Sequence, residues 1–196
     1  MDDRLNKILK YVAVLMVVLL VGIGLYDGFV RGKDAYSLGM AAGHRYFEDG
    51  NFKAALREFR TAGEAVPGDR DACYGEAIAL LQLGRSEEAL TFFDRAIEGA
   101  VDSRDKAFFL ANRGILHDRA GHYRLALDDY RMSLQLAPET AEGPGVISRL
   151  LHNQQRKPPT IMDRALYLQS ELAKPESERL LTVPAIDERQ RSEKVR

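Results

Sequence analysis

The sequence predicts an all-α protein: an apolar N-terminal helix, three helix–turn–helix units in a row, and a helical cap. Three observations carry this. The run Tyr11 to Tyr26 has sixteen residues and no charge. A set of small, glycine and aromatic residues returns after 34 residues and again after 37. The C-terminal third is punctuated by prolines and leaves two apolar stripes at helical spacing.

Composition sets the outer bounds. The chain has 196 residues, 45% hydrophobic and 29% charged, so most of it should fold. A net charge of −1, with both signs interspersed, argues against a general nucleic-acid binder, which needs a basic surface. The single cysteine, Cys73, allows no internal disulfide and no cysteine-rich metal site.

The N-terminal run, extended to 8–26 with Lys10 snorkelling, comes near the length of a spanning helix, and Tyr11 and Tyr26 sit where interfacial aromatics belong. A cleaved signal peptide would need a small-x-small site, and the exit "GLYDGFVRGKD" has no A-x-A pattern. A buried core helix is the remaining alternative. The expectation is therefore an uncleaved single-pass anchor over 8–26, after a short flank (1–10) and before a linker (27–35). Arg4, Lys7 and Lys10 precede the run, and Arg31 and Lys33 follow it. This excess of one basic residue puts the N-terminus inside. The bulk of the chain would then face a bacterial periplasm from the inner membrane.

The repeats come next. "EDGNFKAALREFRTAGEAVPGD" returns as "QLGRSEEALTFFDRAIEGAVDS" and as "RAGHYRLALDDYRMSLQLAPET". Gly50, Gly84 and Gly121 end the first helix of each pair, where a left-handed residue is needed. Small residues at Gly43, Ala77 and Gly114, and at Ala55, Ala89 and Ala126, let helices approach closely. Phe59, Phe93 and Tyr130 fill the space between them. Helix pairs are expected near 37–49 and 52–65, 71–83 and 86–99, and 105–120 and 123–136.

This combination resembles the tetratricopeptide repeat family. The first copy matches the family pattern at Gly43, Tyr46, Gly50, Phe52, Ala55, Phe59, Ala62 and Pro67. The second departs at Leu80, Ser86 and Val101, and the third at His117 and Ser133. The resemblance covers residues 36–139, divided as 36–69, 70–103 and 107–140. It implies a right-handed superhelix of helix pairs whose first helices line a concave groove.

Residues 141–182 read as a degenerate hairpin that caps the array, which a solenoid needs at its end. Pro144 opens a helix with Val146, Ile147, Leu150 and Leu151 on one face, and Pro158 and Pro159 stop it. Thr160 caps a second helix carrying Ile161, Ala165, Leu168 and Leu172. Pro175 can open a short helix over "ESERLL", and 183–196 is a charged tail.

No catalytic set, cofactor site or metal site emerges. "HDRAGH" holds His117 and His122 five residues apart across a helix break, which is not a helical metal-pair spacing. Asp128 and Asp129 are neighbours and cannot face each other on a helix. Cys73 reads as a small packing residue. "GVISR" lacks the lysine of a phosphate loop, and "GIG" lies in the apolar run.

The resemblance places the groove on Met40, His44 and Phe47, on Tyr74, Ile78 and Leu81, and on Phe108, Ala111, Ile115 and Asp118. Relatives that clamp the carboxylate end of chaperone tails use Lys, Arg and Asn at such places; here only Asn112 lies nearby. The function expected is a membrane-anchored scaffold, not an enzyme, that binds a partner protein or peptide in an apolar groove, in assembly or export of envelope proteins. The alternatives are a docking subunit of a larger membrane complex and an enzyme-accessory domain. Partners are protein or peptide and, through the first helix, the membrane; nucleic acid and small-molecule substrates are not expected.

Overall fold

The computed structural model describes residues 3–138 and 160–182, and those residues are all-α. The order is α1 (Asp3–Glu48), α2 (Phe52–Ala65), α3 (Arg70–Gln82), α4 (Ser86–Gly99), α5 (Ser103–Arg119), α6 (Tyr123–Leu136) and α7 (Ile161–Leu172), followed by a 3₁₀ turn at Glu176–Glu178. Each helix packs on the next, from α1 on α2 through α6 on α7, which is the stacking of a helical repeat.

The turns show why the pairs form. Gly50, Gly84 and Gly121 have φ of 73°, 73° and 80°, a region closed to most residues. In each turn the N–H of the following residue reaches back five positions: Asn51 to the Tyr46 carbonyl (2.8 Å), Arg85 to Leu80 (3.0 Å) and His122 to His117 (2.8 Å). These bonds satisfy carbonyls that the helix end would otherwise leave open. At the other helix ends, Asn51, Asp69 and Asp102 accept N–H bonds from the first turns of α2, α3 and α5.

Among the described residues a minor apolar cluster of Cys73, Ala96 and Phe109 accompanies two others that hold the array. The larger gathers Ala55, Leu56, Phe59, Ala77, Leu80, Ala89, Phe93 and Leu116 from the successive pairs. The smaller joins Ala126, Leu127 and Tyr130 of α6 to Ala165 and Leu168 of α7. Ion pairs stitch consecutive units along the same line with opposite polarity. Arg60 of α2 reaches Glu76 of α3 (3.3 Å), and Asp94 of α4 reaches Arg113 of α5 (2.6 Å). Arg113 also makes a two-pronged bond to Asp129, at 2.9 and 2.6 Å. Asp129 holds the Arg113 guanidinium more firmly protonated than usual.

The N-terminal reading needs correction. Among the described residues no helix is long and apolar enough to cross a membrane. The sixteen uncharged residues Tyr11–Tyr26 span about 24 Å as a helix, against a hydrocarbon core of about 30 Å. Nor does the helix stop at the run. Residues 27–35, expected as a linker, are helical, and α1 continues without a break to Glu48, where it serves as the first helix of the array. This overturns the single-pass anchor over 8–26 and, with it, the inner-membrane localisation with periplasmic repeats.

At the C-terminal end, Thr160 caps α7 as expected, in a reciprocal capping box with Asp163. The short helix expected at "ESERLL" is a single 3₁₀ turn. The expected helix through Val146–Leu151, like the tail 183–196, lies outside the described residues.

Candidate functional site

The positions expected to line a groove fall on α1, α3 and α5, and the structure treats them in three ways. Met40, Phe47, Tyr74, Ile78 and Leu81 are half-buried against the larger core cluster. His44 is exposed, with its ring edge-on to Phe59 at 5.3 Å. Phe47 meets Phe52 edge-on at 5.2 Å, which ties it to its own hairpin.

Tyr74 and Phe108, one unit apart in the repeat, are in contact, with ring centroids 5.1 Å apart. Tyr74 also stacks on Phe109 at 5.0 Å and meets Phe93 at 6.1 Å. Burial of this kind raises the Tyr74 hydroxyl pKa above its ordinary value, so it stays protonated. Phe109 is buried, whereas Phe108 remains 49% exposed. Sequence reasoning missed Phe109. The doublet "FF" was visible, but which ring would face inward depends on how α5 packs. One N–H of the Asn112 amide donates to the Phe108 carbonyl of its own helix at 2.9 Å.

The end of the third unit is different. Ala111 is buried. Ile115 packs against the smaller cluster, alongside α7. Asp118 is buried in a two-pronged ion pair with Arg164 of α7, both bonds at 2.7 Å, and accepts a third bond from the Tyr130 hydroxyl at 3.3 Å. The structure thus separates Ile115 and Asp118 from the aromatic contact and joins them to α7. Arg164 had no signal in the sequence, because 46 positions separate it from its partner.

Beside the aromatics, Asp71 and Asp105 each sit one turn before Tyr74 and Phe108, with Arg70 between them at 3.6 and 2.5 Å. Burial raises the Asp71 carboxyl pKa; Arg70 opposes the shift, and Asp69 and Asp105 add to it. Asp69 also accepts the Tyr36 hydroxyl at 2.9 Å, and burial together with that bond pushes the Tyr36 pKa up to about 12. Among the described residues no group of three or more His, Cys, Asp or Glu is arranged to hold a metal. Cys73 is buried in the core, where desolvation raises its thiol pKa.

Comparison with known proteins agrees with this geometry. Residues 40–104 match the family model of the tetratricopeptide repeat. The human Tetratricopeptide repeat protein 6 is 31% identical over 97 residues, which is 50% of this chain; the chain spans only 18% of that protein's length. Among solved structures, the first tetratricopeptide domain of Spaghetti (RPAP3), bound to the HSP90 peptide SRMEEVD, aligns with a TM-score of 0.57 at 17% identity. That alignment covers 72% of this chain and 95% of that one. The second such domain of human RPAP3, in complex with the HSP70 peptide SGPTIEEVD, aligns at 0.51 and 21% identity over 64% of this chain and 99% of that one. The Arabidopsis OM64 domain aligns at 0.51 and 16% identity, over 63% and 95%. At such identities the likeness is one of fold. The array of helix pairs from α1 to α6 is a tetratricopeptide-like helical repeat.

Proposed function

We propose that this chain is a protein-interaction scaffold, not an enzyme, whose first helices present an apolar face to an extended or helical segment of a partner. The observation that carries this is Phe108. It is half exposed, yet it touches Tyr74 of the neighbouring unit, within an aromatic set whose other rings are mostly sealed. A large ring held at a fixed angle on a rigid support loses little freedom on binding, and such rings dominate interface energies.

The partner proposed is apolar rather than acidic. The solved relatives bound to chaperone peptides hold sequences ending in EEVD. Here the proposed face offers Met40, Tyr74, Ile78, Leu81 and Phe108, and one N–H of the Asn112 amide is engaged with its own helix. None of these positions carries a cation to answer several carboxylates.

A displayed peptide library selected on the wild-type chain tests the reading. Replacing Tyr74 and Phe108 together with serine should weaken the selected peptides more than about tenfold. Phe108→Ser alone serves as the control for folding, since Phe108 is half exposed. Unchanged affinity in both variants, with native circular dichroism, would show that this face is not the site.

A further inference from the structure

After α7 the chain turns at Glu176–Glu178 and comes back along the same helix. Arg179 is extended, at φ −75° and ψ 129°. The next residues are held by side chains one helical turn apart along α7. The Leu180 N–H donates to Glu171 Oε2 at 2.9 Å. The Leu180 carbonyl accepts from the Tyr167 hydroxyl. The Leu181 carbonyl accepts from Arg164 Nη2 at 3.1 Å. Leu180 points outward and is 67% exposed, while Leu181 packs against the smaller cluster that also receives Ile115. The same Arg164 nitrogen bonds Asp118 Oδ1 at 2.7 Å, so Asp118 fixes the guanidinium that reads the segment.

This is the chemistry of a peptide-reading site. Main-chain groups of an extended strand meet fixed polar side chains, and one alternate side chain enters an apolar seat. The three main-chain bonds carry no sequence information; residue type is read at Leu181, which enters the apolar cluster, and at Arg179, whose Nε donates to the Lys174 carbonyl at 2.9 Å. We propose that α7, with Asp118 and Ile115 of α5, forms an exchangeable site for an extended peptide bearing a leucine, and that residues 179–182 occupy it in cis. Exchange is feasible because one half-buried leucine, three main-chain bonds to side chains and the Arg179 bond to the Lys174 carbonyl hold the segment, and another peptide with the same backbone shape, an arginine and a leucine satisfies them all. The in-cis copy competes through its high effective concentration. The site uses none of the Tyr74–Phe108 contact, so it stands or falls separately from the scaffold reading.

The test uses the full chain and a fluorescent synthetic peptide of residues 176–182, ESERLLT. The wild-type chain should bind it weakly, because its own segment fills the site. The Leu181→Ser chain should bind it at least about tenfold more tightly, as the unoccupied fraction rises. Leu181→Ala, a milder cut, should shift binding in the same direction. A peptide whose second leucine is serine should not bind any of the three chains. Adding Tyr74→Ser and Phe108→Ser to the Leu181→Ser chain should leave its peptide affinity unchanged. The proposal is overturned if the wild-type and Leu181 variants bind the peptide equally, or if the variants fold natively and bind none.

Discussion

The ring of Phe59 occupies the place where Gly75 has no side chain. A Cβ built on Gly75 would lie 2.5 Å from Phe59 Cδ1, and one built on Gly43 would lie 2.6 Å from the same atom. Phe59 is fully buried on α2, so its ring is clamped between α1 and α3, the first helices of two successive units. Tyr130 meets Gly114 in the same way, at 2.7 Å.

Gly75→Ala should therefore destabilise the fold. Alanine favours a helix over glycine by about 1 kcal/mol, but overpacking of a sealed contact costs roughly 1–3 kcal/mol. A Cβ at Gly28 of α1 would meet no atom within 4 Å, so Gly28→Ala should be neutral or mildly stabilising. Urea midpoints of the two variants provide the comparison. A Gly75→Ala protein as stable as the wild type would mean that Phe59 does not seat against this backbone.

The Asp118–Arg164 pair is the most deeply buried ion pair among the described residues, with side-chain exposures of 4% and 2%. Arg164→Met should cost about 3–5 kcal/mol, because it leaves a buried carboxylate without its counter-charge. The double variant Asp118→Leu with Arg164→Met should recover much of that loss, since the desolvation cost disappears with the charges. Hydrogen exchange should localise the damage of the single variant to α7. Full protection of α7 in Arg164→Met would rule out the pair as what clasps α7 to α5.

A pH dependence follows from His117. Burial lowers its pKa below the ordinary histidine value, against the pull of Asp129, whose carboxylate lies 3.9 Å away. The unfolded chain then takes up the proton more readily than the folded one. The stability that the neutral imidazole contributes is complete above the ordinary histidine range and is lost as pH falls through it. Between about pH 7 and pH 5 the unfolding free energy should fall more steeply in the wild type than in His117→Gln. Urea titrations at several pH values measure both slopes, and equal slopes would clear His117 of the effect.

Much of the repeat was legible because its requirements are local. A turn that needs positive φ selects glycine, so Gly50, Gly84 and Gly121 marked the hairpins, and the observed ends of α2 to α6 lie within two residues of the expected ones. The apolar run at 11–26 was legible as composition but not as architecture. Residues 27–35 were expected as a linker, yet the glycines and charges they carry each cost a helix only about 1 kcal/mol or less. Helix growth past such residues is cooperative once α1 is docked on α2. The candidate face was half legible: Tyr74 and Phe108 were named from repeat positions, while Phe109 and Arg164 were not.

By itself, the sequence determined the helical class, the period of the array and the turn glycines, because these follow from backbone sterics and from residues a few positions apart. Only the tertiary structure decided which ring of Phe108 and Phe109 stays exposed, that α1 runs through as one helix into the first unit, and that Asp118 pairs with α7. Each of these depends on what another helix presents across a gap of tens of residues. The energy of burying a charge or a ring is set by that neighbour and not by the residue's own stretch of chain.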